Sequence, residues 1–366
     1  MRQSCNEKDI SRLAGVLRRL VTVETTIMEV CGTHTVSIFR NGLKSLFPEK
    51  LHLISGPGCP VCVTDQGEID AAIAVAEREN TIVVTYGDML RVPGSSGSLL
   101  DARSRGQKVE VVTSAADALR IARENPDEDV VFLGIGFETT APATASVILE
   151  AHAKKLGNFF VLCLHKRVPP ALRLLAEAPD LSIDGFLLPG HVTVIIGLEP
   201  YRFLTEKFRK SCAVAGFEAR DIMLGLVEIL RQIRTGRPDI RSMYPRAVRP
   251  EGNETARKSI EKVFERSDSS WRGLGTIPES GYSLKEPYKT FDAASMLDIT
   301  VNSAPPPEGC RCGDVLKGLI SPRDCPLFAT SCTPVHPVGP CMVSNEGSCS
   351  AYYTYAQKEI KTSWNA

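Results

Sequence analysis

The chain has 366 residues, more than one ordinary core holds, so two or three domains are expected. Its 43 basic and 43 acidic residues cancel to zero net charge, which argues against nucleic acid or an anionic membrane surface as the main partner. No apolar run reaches the ~20 residues of a spanning helix, and the polar start MRQSCNEKDISRL lacks the apolar core of a signal peptide. A reducing cytoplasm is the expected location, where twelve cysteines point to metal or redox chemistry rather than to stable disulfides.

The first informative stretch is TTIMEVCGTHTVSIFR, residues 25–40. It places Cys31 at the end of a short apolar run and before a helical pattern. A helix N-terminus favours a thiolate, and His34 with Thr33 or Thr35 is placed to donate hydrogen bonds. A buried, inert thiol is the equally open alternative. Residues 56–62 read GPGCPVC. The Cys59–Cys62 spacing suits a strained, reducible disulfide or a soft metal. Gly56, Pro57 and Gly58 predict a tight turn that exposes Cys59. A zinc half-site is the plainer reading, but no second CxxC partners it, so redox chemistry is favoured.

Short β-branched runs follow, each ending near glycine: TIVVTYG (81–87), VVFLGIG (130–136), FFVLCLH (159–165), DGFLLPG (184–190) and CAVAG (212–216). Runs of this kind suit strands buried on both faces. Helical patterns separate them at 68–79, 114–124 and 141–155, so βαβ units and a parallel sheet are predicted. Ligands then belong in the loops after the strands, here YGDMLRVPGSSGS, GIGFETT, LHKRVPP and LPGHVT. GIGFE lacks the last glycine of a dinucleotide fingerprint. GFETTAP (136–142) and GFEARDI (216–222) each follow a strand and open a helix, an echo that fits duplication or chance. From about 235 the chain turns basic, proline-bearing and poor in strands, the mark of a third, less regular domain.

The end of the chain holds Cys310, Cys312, Cys325, Cys332, Cys341 and Cys349, separated by one, twelve, six, eight and seven residues. Structural zinc knuckles show tighter pairs. Widely spaced cysteines beside proline and glycine favour an iron–sulfur cluster. Six cysteines exceed four ligands, and Cys310 and Cys312 compete for one position.

As a set, CGTH, GPGCPVC, TYGDMLRVPGS, GFETTAP, LPGHV, AGFE and the tail CTPVHPVGPCMVSNEGSC resemble the HypD family of [NiFe]-hydrogenase maturation proteins, from about residue 28 to 353. The resemblance implies a scaffold on which the Fe(CN)2CO group is assembled together with a small HypC-type chaperone. A HypE-type partner supplies the cyanide. It implies that Cys31 holds the iron and that Cys59 and Cys62 serve redox chemistry or iron handling beside it. It implies a [4Fe–4S] cluster on Cys310, Cys325, Cys332 and Cys349, with Cys312 and Cys341 left over. Thr33, His34, Glu138 and His191 are expected to orient ligands or move protons.

The predicted fold is α/β: two Rossmann-like parallel-sheet domains around a cleft, over 27–128 and 129–235. A less regular, mainly helical iron–sulfur domain over 236–366 carries the N-terminal helix 1–26. A monomer within a hetero-complex is expected. A ferredoxin-linked thiol oxidoreductase and a zinc-stabilised interaction protein are the competing readings.

Overall fold

The computed structural model describes residues 2–302 and 304–362. Eleven strands are present among them: β1 (Thr25–Glu29), β2 (Leu51–Ser55), β3 (Thr81–Thr85), β4 (Lys108–Val111), β5 (Asp129–Gly134), β6 (Phe159–Cys163), β7 (Gly185–Pro189), β8 (Ser211–Ala215), β9 (Ile240–Ser242), β10 (Phe264–Trp271) and β11 (Gly275–Leu284). The five expected apolar runs all form strands. β3, β7 and β8 are buried along their whole length, as their unbroken apolar sequences require.

Two parallel sheets result. The first has the order β2-β1-β7-β8-β9 and the second β4-β3-β5-β6. In each, the chain lays down one strand, adds the next on one side, then returns to build on the other. Each sheet therefore has one switch point, between β1 and β7 in the first and between β3 and β5 in the second. That is where open parallel sheets leave a crevice for ligands. The second sheet is inserted whole between the second and third strands of the first.

The expected cut between residues 128 and 129 therefore fails. Thr81 of β3 pairs with Asp129 of β5, so the cut falls inside one sheet. The boundary at 235 also falls early, because β9 completes the first sheet beside β8. The GFE echo is not a duplication mark: Gly136 follows the third strand of its unit, and Gly216 the fourth. What the units share is strand order.

The N-terminal helix α1 (Arg2–Leu20) lies on the first sheet, not on the C-terminal region. Ala14 and Leu17 pack with Ile222, Leu226 and Leu230 of the helix Ala219–Thr235. Burying each leucine or isoleucine here stabilises the fold by about 1.5–3 kcal/mol. The C-terminal region is not poor in strands either. β10 and β11 form an antiparallel hairpin with Gly273 in its connection and Gly275 opening β11, at φ 75° and 74°, the left-handed region that suits glycine. One apolar cluster runs from Met28 and Val30 through Cys59 and Cys62 to Val131 and Leu133, and on to Trp271, Cys312 and Cys341.

Candidate functional site

Cys31 sits just past the carboxyl end of β1, at the switch point beside β7. It is the N-cap of α2 (Gly32–Arg40), with extended backbone at φ −154°, ψ 121°. The GPGCPVC segment leads out of β2, next door. Gly32 N–H donates to the Gly58 carbonyl at 3.0 Å. A Cβ on Gly58 would lie 2.3 Å from the Cys31 nitrogen, and one on Gly32 would lie 2.3 Å from the Glu346 carbonyl. Both glycines are set by close backbone approach. The two sequence motifs thus interlock around Cys31.

A third stretch closes over them. Thr33 Oγ1 donates to Glu346 Oε1 at 2.5 Å. The Glu346 N–H donates to Ser344 Oγ at 3.2 Å, and Ser344 donates in turn to Asp88 Oδ2 at 2.9 Å. The segment between Cys341 and Cys349 therefore ties the CGTH loop to the YGD loop after β3. Glu346 was not among the expected site residues. Its only signal was its place in the tail motif, since its partner lies 313 residues away.

Beneath the thiol lies a second unexpected residue, Glu29, with 2% of its surface exposed. It accepts the Cys31 N–H at 3.1 Å and the Thr35 hydroxyl. Burial raises its pKa to about 7. Thr33 and Thr35 both donate, as expected of one or the other, but to carboxylates. The expected favouring of the thiolate is overturned. Burial, then the charge of Glu346, pushes the Cys31 thiol up to about 12, against the opposing backbone bonds at His34 and Thr33. The metal-free protein holds a neutral thiol here, and a metal must displace its proton.

His34 is fully buried. Its Nε2 faces the Ala215 carbonyl at 3.3 Å and the Gly216 carbonyl at 3.0 Å, which places the proton on Nε2. Nδ1 has no partner, and burial lowers the pKa to about 4. His191 is exposed and rests on Phe217 at 4.0 Å between ring centroids, while His34 meets the same ring at 5.1 Å. Burial lowers His191, and the Glu346 charge opposes it. Cys31, Thr33, His34 and His191 are thus brought to one crevice.

Glu138 is not among them. It lies at the second crevice, buried, accepting the Val168 N–H at 3.1 and 3.3 Å, with its pKa raised by burial to about 7. Tyr201 is wholly buried, its hydroxyl without a hydrogen-bond partner among the described residues, and burial pushes its pKa well up.

Cys59 and Cys62 are joined as a disulfide. Cys59 caps the short helix α3 (Pro60–Val63) and accepts the Cys62 N–H at 3.2 Å. The expectation that Cys59 is exposed is wrong: it is 3% exposed and Cys62 is sealed. Gly58 lies on the Cys31 backbone, and the helix Pro340–Val343 packs on α3 from the other side.

The six C-terminal cysteines line one cavity, whose other walls are Val315, Leu327, Phe328, Gly339 and Met342. The Cys312 and Cys341 sulfurs approach to 2.7 Å. Hydrogen bonds from Cys310 and Cys341 hold the Cys312 thiol low, against the opposing effect of burial. Among the described residues no three cysteine, histidine or carboxylate side chains converge on a single ion position. An all-sulfur donor set spread around apolar walls fits an iron–sulfur cluster. Cys341 belongs to the helix that covers α3, so the cavity and the Cys59–Cys62 disulfide adjoin.

Parallel sheets with a buried thiol at one switch point, a disulfide beside it and a cysteine-lined cavity behind it define a cysteine-centred α/β protein. The chain matches the HypD family model, described as the hydrogenase formation hypA family, over residues 8–356. It is 45% identical to hydrogenase maturation factor HypD of Escherichia coli, over 91% of this chain and 90% of that one. It is 44% identical to the HypD of Cupriavidus necator, and 46% to HypD2 of Bradyrhizobium diazoefficiens, each over 90% of this chain and 89% of the relative. The chain belongs to the HypD family, and its role is in hydrogenase maturation. Among the described residues no helix is long and apolar enough to cross a membrane.

Proposed function

We propose that the chain is the cytoplasmic scaffold on which the Fe(CN)2CO group of [NiFe]-hydrogenases is assembled, with Cys31 as its ligand to that iron. The observation that carries this reading is the position of Cys31: a free thiol at a switch point, outside both the Cys59–Cys62 disulfide and the six-cysteine cavity. One thiolate leaves most iron positions free for cyanide, carbon monoxide and the sulfur of a HypC-type chaperone, whereas a four-cysteine site closes them. Low-spin iron(II) with such ligands suits thiolate. When iron binds, Cys31 loses its proton, and Glu29, raised towards neutrality directly beneath it, is suited to take it. His34 keeps a bare Nδ1 in the same pocket, and Thr33 with Glu346 fixes the loop.

Cyanide arrives from a HypE-type partner as a thiocyanate, R–S–CN. Releasing it as cyanide and thiolate takes two electrons. Reduced Cys59 and Cys62 supply two electrons as they form their disulfide. The dithiol can also hold iron in transit, but the disulfide cannot. A [4Fe–4S] cluster on Cys310, Cys325, Cys332 and Cys349 supplies electrons singly when bound. The close approach of Cys312 and Cys341 supports reading those two as a pair apart from the cluster ligands. The protein works as one subunit of a hetero-complex with its chaperone and cyanide donor.

The test is infrared spectroscopy and metal analysis of the protein prepared without oxygen together with its chaperone. Cyanide and carbon monoxide stretches, with iron beyond that of the cluster, are expected. Cluster iron without those bands overturns the scaffold reading in favour of a thiol oxidoreductase. Colourless protein with stoichiometric zinc favours an interaction protein.

A further inference from the structure

The basic stretch around residue 235 lies at the amino end of the first sheet, across the strands from Cys31. Residues 231–241 hold four arginines against one aspartate. The helix Ala219–Thr235 ends on Gly236, at φ 65°, and the Arg237 N–H closes the turn on the Gln232 carbonyl at 3.1 Å. Pro238 and Asp239 then lead into β9. The Gln232 carboxamide fixes the floor of this corner: Oε1 accepts the Asp239 N–H at 3.1 Å, and Nε2 donates to Glu228 Oε1 at 3.2 Å. Around it lies a hollow of about 530 Å³ rimmed by Arg231, Arg237 and Arg241.

The hollow has two carboxylates of its own, and Arg241 occupies both, Glu228 at 3.5 Å and Asp239 at 3.2 Å. Among the described residues Arg231 and Arg237 have no carboxylate within 4 Å, and both are exposed. The positive charge continues onto α1, which carries Arg18 and Arg19 in its last turn. Arg234 Nη1 donates to the Arg19 carbonyl at 3.4 Å. The fold does not call for so many cations. A helix C-terminus favours cations in its last turn, and Arg18, Arg19 and Arg234 supply them. Arg231 stands three residues before Arg234 on the same helix, a like-charge spacing that costs stability. Arg237 lies beyond the helix end.

We propose that this hollow is a docking site for an acidic segment, rich in aspartate and glutamate, of a partner protein. Guanidinium and carboxylate match through two parallel N–H···O bonds, and the fixed floor holds the arginines in place before the partner arrives. The rim carries no aromatic side chain on which a base could stack, which disfavours a single-stranded nucleic acid. The cations are exposed, so the contact is screened by salt and governs encounter and specificity. Because the sheet is parallel, the hollow lies at least a strand's length, ~17 Å, from the end that holds Cys31. A partner held here leaves that crevice open.

The test is binding of a fluorescently labelled hexaglutamate peptide to the full chain, read by anisotropy at about 50 and about 200 mM salt. Binding that weakens at the higher salt is expected. Arg231→Gln combined with Arg237→Gln should weaken it about tenfold. Arg120→Gln combined with Arg123→Gln removes the same charge from the helix Ala115–Glu124 and should bind as the native chain does. Thermal unfolding of the first double variant should match or exceed the native midpoint, because it relieves repulsion. Absence of hexaglutamate binding, or equal weakening in the two double variants, overturns the docking site. A lower midpoint with unchanged binding assigns the two arginines to the fold and overturns it too. Tighter binding of a labelled oligothymidine than of the peptide overturns it in favour of nucleic acid.

Discussion

At the crevice between β1 and β7 the groups around Cys31 arrive from three distant stretches: the CGTH loop, the GPGC turn and the strap holding Glu346. At the crevice between β3 and β5, residues of the same unit and the hairpin satisfy one another. Lys166 pairs with Glu68 and donates to Ser269 at 2.6 Å, His165 meets Thr144 at 2.9 Å, and Glu138 is taken up by Val168. The four-strand order of the second sheet repeats within the five-stranded first. Topology provides two crevices, and side chains decide that one holds a neutral thiol with histidines beside it while the other is locked by a closed polar network. The first crevice thus keeps a free thiol, while the side chains of the second satisfy one another.

The largest effect on stability should come from the second crevice. Lys166→Met leaves Glu68 buried without its partner and should cost about 3–5 kcal/mol, read by denaturant unfolding. The folded fraction should still carry iron on Cys31. Loss of that iron in folded protein would break the comparison. A smaller loss is expected at the first crevice from Thr33→Val, which removes one bond to a charged carboxylate, worth about 1.5–3 kcal/mol. Here the bound iron should fall while the visible absorption of the cluster stays. If both stay, the Glu346 strap only holds the fold together.

The smallest effect is a change of slope with pH. Glu29 and Glu138 titrate near 7 in the folded protein against 4.5 for the free group, so each makes the fold less stable as pH rises through that window. His34 and His165 titrate near 4 against 6.5, so each makes it more stable over nearly the same range. Two against two, the stability of the metal-free protein should be nearly flat between pH 4.5 and 6.5. Glu138→Gln keeps an acceptor for Val168 but removes one opposing carboxylate. Stability should then rise with pH by up to ~1.4 kcal/mol per unit. A profile parallel to the native one would place the Glu138 pKa near that of a free carboxyl.

The strands were legible because β3, β7 and β8 are buried on both faces and therefore read as unbroken apolar runs. The insertion of one unit into the other was not, since strand order depends on pairing between β1 and β7, far apart in sequence, and local periodicity carries no trace of it. The pairing of Cys59 with Cys62 was legible from its spacing, and the place of Cys31 ahead of a helix from its neighbours. Their burial was not, because it comes from the helix Pro340–Val343 and from Glu346, at the opposite end of the chain. Glu29 lay in plain view inside TTIMEVC, where a carboxylate in a buried strand is itself a signal.

The central claim, that the crevice holding Cys31 carries the iron being built and the other does not, is tested most directly by infrared spectra of two variants. Cys31→Ala and Glu138→Gln are each prepared without oxygen together with the chaperone. Cys31→Ala should fold, keep the broad visible absorption of its cluster and lose the cyanide and carbon monoxide bands, whereas Glu138→Gln should keep both. Bands retained in Cys31→Ala, or lost only in folded Glu138→Gln, would contradict the account.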